Sequence, residues 1–235
     1  MNYIIDKTEV LRYLGINIAP PPQDVLRLID ECGAELLYSV RPKYVYKICS
    51  LNFPDGIPTL DCVNITLAGK TAADRLAGCT HVGILSATLG LEADTLIRRG
   101  QMTDMTRALI YDACATDLIE KVCDRAAFEI ADIVKGDGLS VTDRFSPGYG
   151  DLPLDLQKSL CAILDTARKI GVSPTPTLLL VPSKSVTAFI GIGPQTSLKD
   201  NIYAACKERC DLCSMKNNCR FSRKNKPLRE DAKNE

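Results

Sequence analysis

The chain has 235 residues, 29 basic and 29 acidic side chains, and a hydrophobic fraction of 46%. This composition is typical of a globular protein with one large or two modest domains, and the balanced charge gives no global attraction to nucleic acid or to an anionic membrane. The segment "MNYIIDKTEV" lacks a basic start and a long apolar stretch. No apolar run approaches the roughly 20 residues of a membrane span. We expect a cytoplasmic protein with no membrane partner.

Helical and strand-like patterns alternate along the first hundred residues. The spacing of Asp6 and Glu9 is typical of a capped helix start, and this helix should end near Gly15. Apolar residues at 25, 26, 29, 32 and 36 predict a second, amphipathic helix. The β-rich segments 43–51 and 80–90 predict two strands with a short helix at 69–78 between them.

The longest helical signal runs from Thr103 to Val134. A buried row steps by four residues along it, comprising Ile110, Cys114, Leu118, Val122, Ala126 and Ile130. A polar row with the same step lies beside it, comprising Asp112, Thr116, Glu120 and Asp124. This polar row is either a helix face exposed to solvent or a row in which one carboxylate points into a cleft. The pattern leaves both interpretations open.

Beyond the strand-like segment 139–142, the chain continues as a helix over 155–170 and two strands on either side of Pro182. The apolar residues end near residue 200. The sequence therefore predicts an α+β fold, with a mixed or antiparallel twisted sheet flanked by helices over residues 1–200. A small Cys-rich module is expected over residues 201–235.

The segment "DRFSPGYGDLP", residues 143–153, is unusually rigid. Pro147 fixes its own φ, whereas Gly148 and Gly150 permit backbone shapes that are closed to other residues. Arg144 offers a planar fork suited to a carboxylate or phosphate, and Tyr149 offers a ring face and a hydroxyl. Such a segment is either a tight structural turn or a cradle for a small zwitterionic ligand.

A resemblance to a known family favours the ligand cradle. "RFSPGY" resembles the Arg-x-x-x-Gly-Tyr motif of the activation (reactivation) domain of cobalamin-dependent methionine synthase, and "LLLVPSKSVTAFIGIG" resembles a strand segment of that family. The similarity covers about residues 100–195 and extends more loosely over 1–100. It implies a stand-alone subunit that binds S-adenosylmethionine and supports reductive remethylation of inactive cob(II)alamin on a partner protein.

The resemblance also implies site residues. Arg144, Ser146 and Gly148 would hold the methionyl group, and Tyr149 would lie against the ligand. The family uses an acidic residue on the preceding helix, a role that either Glu120 or Asp112 would fill. The family motif usually contains a small residue and a second proline where this chain has Phe145 and Ser146, and the chain departs from it again at residues 150–153.

Eleven cysteines divide into two groups. Seven are predicted to be free thiols that pack as small core residues: Cys32, Cys49, Cys62, Cys79, Cys114, Cys123 and Cys161. The other four, Cys206, Cys210, Cys213 and Cys219, have the spacing C-x3-C-x2-C-x5-C. So compact a set suits a 4Fe–4S cluster, with structural zinc or no metal as alternatives.

Three functional hypotheses follow. The first is a methyltransferase component, the reactivation subunit of methionine synthase, active only with a cobalamin-bearing partner and served by a ferredoxin or flavodoxin electron donor. The second is reactivation of another corrinoid methyltransferase. The third is a non-enzymatic iron–sulfur or zinc module that senses redox state, for which the Arg144 turn is only structural. No nucleic-acid partner is expected under the first two.

Overall fold

The computed structural model describes residues 3–16, 20–63 and 65–196. Its helices are α1 (Lys7–Tyr13), α2 (Gln23–Ser39), α3 (Lys70–Arg75), α4 (Leu91–Thr103), α5 (Met105–Lys135), α6 (Leu156–Leu164) and α7 (Thr166–Ile170). Its strands are β1 (Lys43–Asn52), β2 (Thr59–Leu60), β3 (Ile65–Thr66), β4 (His81–Thr88), β5 (Leu139–Phe145), β6 (Ser173–Pro174), β7 (Leu180–Val181) and β8 (Ser185–Pro194). No helix in these three ranges is long and apolar enough to cross a membrane.

Six strands form one sheet in the order β3-β2-β1-β4-β8-β5, and every neighbouring pair in it is antiparallel. β6 and β7 form a separate two-stranded hairpin. Helices flank the large sheet, so the predicted α+β class with an antiparallel sheet is confirmed. Because β5 and β8 run in opposite directions, β5 ends at the same end of the sheet at which β8 begins.

The two faces of the sheet carry separate cores. Ile190 and Ile192 of β8 pack with the buried residues of α5, and we call this side the α5 face. Phe189 packs with Leu160 and Leu164 of α6 on the opposite side, the α6 face. Side chains alternate along a strand, so Thr187 shares the α6 face with Phe189.

The long helix α5 confirms the predicted buried row. All six of its predicted core residues are at most 2% exposed. The helix begins beside Asp104, whose carboxylate accepts hydrogen bonds from the backbone N–H groups of Thr106 and Arg107. The preceding helix α4 was not predicted. It crosses α5 so closely that a Cβ added at Gly100 would lie 2.8 Å from the Ala108 Cα atom.

Two predictions about segments after β5 are wrong in detail. The single helix expected over 155–170 is two helices, because Asp165 adopts a left-handed conformation with φ 54° between α6 and α7. The strand expected before Pro182 is only the two residues of β7, because Leu178 has φ 68° and turns the chain into the β6–β7 hairpin.

The prediction that all seven scattered cysteines are free core residues is wrong for two of them. Cys49 and Cys62 form a disulfide with a Cα–Cα distance of 5.6 Å, and Cys62 is exposed. They meet because β2 folds back on β1, where Leu60 pairs with Leu51. The other five are buried free thiols, as predicted: Cys32, Cys79, Cys114, Cys123 and Cys161.

Candidate ligand-binding site

Arg144 belongs to the end of β5 rather than to the turn that follows. It pairs with Ile190 of β8, and a register shift between Val141 and Arg144 places a bulge just before it. The next residue, Phe145, packs against Phe189 on the α6 face, with ring centroids 5.5 Å apart. Successive strand residues point to opposite faces, so the Arg144 side chain lies on the α5 face.

The guanidinium of Arg144 lies between two carboxylates of α5. Its Nη1 is 2.6 Å from Oδ1 of Asp124, and its Nη2 is 2.8 Å from Oε2 of Glu120. The Arg144 side chain is 9% exposed, whereas that of Glu120 is 45% exposed. Burial lowers the pKa of Arg144, but Cys123, Asp124 and Glu120 together raise it above its ordinary value. Arg144 therefore stays charged in a partly buried ion-pair cluster.

The remaining members of the polar row also face a cation. Nζ of Lys184 is 2.9 Å from Oδ1 of Asp112 and donates a hydrogen bond of 2.9 Å to Oγ1 of Thr116. Lys184 immediately precedes β8 and its side chain is 15% exposed. The row that steps along α5 thus contacts the end of the sheet at which β5 finishes and β8 starts.

These contacts separate the two candidate acidic residues. Glu120 lies against Arg144, whereas Asp112 lies against Lys184. Asp124 and Lys184 were not predicted as site residues. Asp124 had a usable signal, because it stands one helical turn beyond Glu120 in the same polar row. Lys184 had no such signal, since it stands two residues after Pro182 in a segment without periodicity.

The turn after β5 is closed by its own backbone. The N–H of Gly148 donates to the carbonyl of Leu152, and the N–H of Tyr149 donates to the carbonyl of Ser146. Gly148 has φ 85°, a conformation that other residues rarely adopt. Tyr149 is 61% exposed, so its ring is accessible from solvent.

Residues 150 and 151, where the chain departs from the family motif, attach the turn to α3. The Asp151 carboxylate accepts hydrogen bonds from the backbone N–H groups of Lys70 and Thr71, at 2.6 and 2.9 Å. Hydrogen bonds from Thr71 and Lys70 lower the pKa of Asp151 to about 2. Gly150 has φ 58°, and a Cβ there would collide with Oγ1 of Thr71. This departure therefore has a structural role.

An open cleft of about 560 Å³ lies beside the turn and the β6–β7 hairpin; we call it the hairpin cleft. Its lining residues are Ser146, Leu154, Gln157, Thr175, Leu178, Leu179, Leu180, Val181, Ser183, Ser185, Val186 and Thr187. Ser146 is the predicted site residue that lines it. The predicted set is therefore distributed over four places: Arg144 and Glu120 on the α5 face, Asp112 beside Lys184, Ser146 in the hairpin cleft, and Gly148 and Tyr149 on the exposed turn.

Comparison with known proteins identifies the fold of this chain through its structure and not through its sequence. No protein-family model and no curated protein matches the sequence. Among solved structures, the chain is similar to the crystal structure of the MetH reactivation domain bound to AdoHcy, with a TM-score of 0.59 and 15% sequence identity. The match covers 81% of this chain and 77% of that chain. The chain therefore has a reactivation-domain-like fold.

The predicted cluster ligands Cys206, Cys210, Cys213 and Cys219 lie outside the described residues. Within residues 3–16, 20–63 and 65–196, no group of three or more His, Cys, Asp or Glu side chains is arranged to hold a metal ion. The metal centre thus remains a prediction from spacing.

Proposed function

We propose that this chain binds S-adenosylmethionine and supports reductive remethylation of inactive cob(II)alamin carried by a methionine synthase or another corrinoid protein. The observation that carries the proposal is the position of the Arg144–Glu120 ion pair. It lies where β5 runs into the Arg-x-x-x-Gly-Tyr segment of a reactivation-domain-like fold. The matched domain is bound to AdoHcy, the product that remains after S-adenosylmethionine gives up its methyl group.

The ion-pair cluster fits the two charges of a methionyl group. In the proposed complex, the half-exposed Glu120 carboxylate turns from Arg144 to the ligand ammonium, and the ligand carboxylate takes its place on the guanidinium. Asp124 stays on Nη1 and keeps the guanidinium in position. The exchange replaces one carboxylate by another, so Arg144 is never left buried without a counter-charge.

The charge of the cluster also favours the methylated form of the ligand. One guanidinium and two carboxylates leave a single negative charge at Arg144, Glu120 and Asp124. The sulfonium of S-adenosylmethionine would neutralise that charge, whereas S-adenosylhomocysteine has no sulfonium. We therefore expect the cluster to bind S-adenosylmethionine more tightly than its demethylated product.

The proposed role of the chain is that of a methyltransferase component, in which its residues bind and orient the donor. S-adenosylmethionine supplies the methyl group, and an external reductant supplies one electron to the corrinoid. Methyl transfer requires donor and acceptor in line and needs no acid or base, so positioning by Arg144, Glu120 and the turn is the contribution expected of this chain.

We further propose that Cys206, Cys210, Cys213 and Cys219 hold a 4Fe–4S cluster that relays the electron or docks a ferredoxin or flavodoxin donor. Their compact spacing supports this assignment over structural zinc. Iron and acid-labile sulfide should be present in stoichiometric amounts in protein purified without oxygen. Protein that contains zinc or no metal would contradict the relay while leaving S-adenosylmethionine binding untouched.

Calorimetric titration with S-adenosylmethionine tests the main proposal. Wild-type protein should bind, and Arg144→Ala should bind at least about tenfold more weakly, equivalent to roughly 1.4 kcal/mol. Arg107→Ala is the matched control, because it loses ion pairs to Glu31 and Glu35 near the start of α5. Circular dichroism should establish that each variant is folded at the temperature of titration.

The redox-sensing module makes the opposite prediction. If the turn is only structural, wild-type protein will not bind S-adenosylmethionine, and Arg144→Ala will change stability alone. Reactivation of methionine synthase and reactivation of another corrinoid protein are separated by adding each cobalamin-bearing partner to the same reduced, S-adenosylmethionine-loaded protein and following the loss of the cob(II)alamin spectrum.

A further inference from the structure

We propose that the Cys49–Cys62 disulfide is a site of reversible thiol–disulfide exchange with a dithiol reductant, and that its reduction loosens the turn after β5. The effect passes from the disulfide through β2, β3 and α3. Exchange and loosening do not depend on the function proposed above, whereas an effect on S-adenosylmethionine binding rests on it.

The two ends of the disulfide differ in their surroundings. Cys49 is 3% exposed in the core of the α6 face, on a strand that pairs with β4 from Lys43 to Ser50. Cys62 is exposed, in the turn that follows β2. An attacking thiol therefore has access from the Cys62 side of the bond. Exposed disulfides are the labile and regulatory ones, because exchange requires access to a sulfur atom.

The exchange transfers two electrons and two protons to the chain. A thiolate of the reductant attacks Sγ of Cys62, the bond between the two sulfurs breaks, and the electron pair leaves on Sγ of Cys49, which takes up a proton. The second thiol of the reductant then attacks the mixed disulfide and releases Cys62, which is protonated in turn. The reductant is thereby oxidised to its own disulfide. The Cys49 thiol remains in the core as a small apolar side chain.

Exchange is confined to this pair among the cysteines of the described residues. The other five are buried free thiols: Cys32, Cys79, Cys114, Cys123 and Cys161. Burial raises the pKa of the Cys79 thiol to about 11 and that of the Cys114 thiol to about 12. The attacking species in exchange is the thiolate, so these two buried groups do not rearrange the Cys49–Cys62 bond.

The disulfide fastens an edge of the sheet at which the strands are short. β2 pairs with β1 at two positions, Leu60 with Leu51 and Thr59 with Asn52, and it pairs with β3 at two more. Cys49 and Cys62 are 13 residues apart in sequence, so their bond closes a loop that contains β2. Opening the bond returns conformational freedom to this loop. The short strands should then separate from β1 more often.

One core connects the disulfide to α3. Cys49, Leu60 and Leu67 belong to the same hydrophobic cluster as Ala72 of α3, and the last three are completely buried. Leu67 directly follows β3, and its N–H donates a hydrogen bond of 2.8 Å to the carbonyl oxygen of Pro58. Separation of β2 and β3 from β1 therefore also disturbs the position from which α3 starts.

The start of α3 in turn holds the turn after β5. The Asp151 carboxylate accepts hydrogen bonds from the backbone N–H groups of Lys70 and Thr71. A Cβ added at Gly69 would lie 2.9 Å from that carboxylate, so the two segments are in close contact. Asp151 lies inside the turn that is closed by the N–H of Gly148. Loss of order at α3 therefore removes an attachment of this turn.

Alkylation and hydrogen exchange on the full chain test the inference. Dithiothreitol, a dithiol, is added to the folded protein, and peptide mass spectrometry locates the thiols that then react with iodoacetamide. Cys62 should become alkylated, whereas the five buried thiols should not. In a parallel sample without iodoacetamide, the amide hydrogens of Lys70, Thr71 and Gly148 should exchange about tenfold faster. Oxidised glutathione should restore the slow exchange.

Cys62→Ser is the matched variant, because it cannot form the bond and it changes an exposed side chain. Its amide hydrogens at Lys70 and Thr71 should exchange as fast as those of reduced wild-type protein, with or without dithiothreitol. The four cysteines at 206, 210, 213 and 219 are present in both proteins. Any effect of the dithiol on them would therefore appear in both.

Asp151→Ala tests the connection between α3 and the turn. In this variant, reduction should still speed exchange of the Leu67 N–H, because β2 and β3 are loosened as before. It should no longer change exchange of the Gly148 N–H, because the hydrogen bonds to α3 are gone. Acceleration at Gly148 equal to that in wild-type protein would overturn the proposed route.

Three results would overturn the inference. The first is a disulfide that resists dithiothreitol until the protein unfolds, which would make it a structural bond only. The second is reduction that leaves exchange at Lys70, Thr71 and Gly148 unchanged. The third is a protein in which Cys49 and Cys62 are thiols that oxidised glutathione does not join.

Calorimetry with S-adenosylmethionine separates this inference from the proposed function. If both hold, reduced wild-type protein and Cys62→Ser should bind about threefold to tenfold more weakly than oxidised protein, because the ordered turn is less populated. Equal affinity of the oxidised and reduced forms would exclude redox control of that site. Absence of binding in both forms would contradict the proposed function and leave the exchange results standing.

Discussion

Nη2 of Arg144 lies 2.8 Å from Oε2 of Glu120. This ion pair links the end of β5 to the middle of α5. The two partners differ sharply in exposure, because the Arg144 side chain is 9% exposed and the Glu120 side chain is 45% exposed. The ion pair therefore has one fixed partner and one that solvent or a ligand can reach. This asymmetry determines which substitutions should affect binding and which should affect stability.

Glu120→Gln should weaken S-adenosylmethionine binding about tenfold and leave the fold intact. The substitution removes the carboxylate proposed to receive the ligand ammonium, while the Arg144–Asp124 ion pair of 2.6 Å remains. Calorimetry measures the affinity, and Asp132→Asn, an exposed change on the same helix, is the control. Unchanged affinity in Glu120→Gln would remove this residue from the proposed site.

Arg144→Met should destabilise the protein by roughly 1–3 kcal/mol, because it removes the cation shared by Asp124 and Glu120, whose side chains are 32% and 45% exposed. Urea denaturation measures the free energy of unfolding. Arg168→Met is the control: its partner is Asp165, its side chain is 80% exposed, and the expected loss is about 0–1 kcal/mol. Equal losses of unfolding free energy in the two variants would show that burial of the Arg144 ion pairs contributes nothing to stability.

The hydrogen bonds of the Asp151 carboxylate should make the free energy of unfolding depend on pH in the acid range. Its pKa in the folded protein is about 2, below its ordinary value of 3.8, so the folded state favours the charged form. The stabilisation is complete above about pH 4 and is lost as the pH falls towards 2. Thermal melting between pH 2 and pH 7 measures it.

Asp151→Asn should be less stable than wild type at neutral pH and should show a smaller loss between pH 4 and pH 2. The difference arises because asparagine cannot gain a proton in that range. Asp155→Asn, four residues further along, is the comparison variant. A wild-type acid profile retained in full by Asp151→Asn would exclude this carboxylate as its source.

Gly100→Ala should destabilise the protein by about 1–3 kcal/mol, because the added Cβ would lie 2.8–2.9 Å from backbone atoms of Ala108, where α4 crosses α5. Gly136→Ala is the matched control. Gly136 has φ −60°, and a Cβ there would meet nothing within 4 Å. The control should be neutral or slightly stabilising in urea denaturation, since alanine restricts the unfolded chain.

Regular periodicity was the part of the fold most readily predicted from sequence. The step of four residues from Ile110 to Ile130 predicted the buried side of α5, and strand-rich runs predicted β1 and β4 within two residues. The sequence did not predict interruptions of a helix or strand that depend on the backbone conformation of a single residue other than glycine or proline. Asp165 and Leu178 both adopt positive φ, and nothing in their residue type demands it.

The candidate site depended on information that a single sequence lacks. Glu120 and Asp112 occupy the same row of α5, and only the packing of the helix against β5 and β8 determines that Glu120 meets Arg144. The hairpin cleft was missed for a related reason. The apolar run "TLLLV" predicts a strand. In the structure the chain turns at Leu178, and the three leucines line the hairpin cleft.

The sheet order implies a late step in biosynthesis. β5 pairs only with β8 in the described sheet, and β8 begins 40 residues after Phe145. During translation, α5 with its carboxylates can form well before β5 has a neighbouring strand. The surroundings of Arg144 are therefore completed only when residues 185–194 have left the ribosome. A nascent chain that stops before β8 contains Arg144, Glu120 and Tyr149 but has no assembled site.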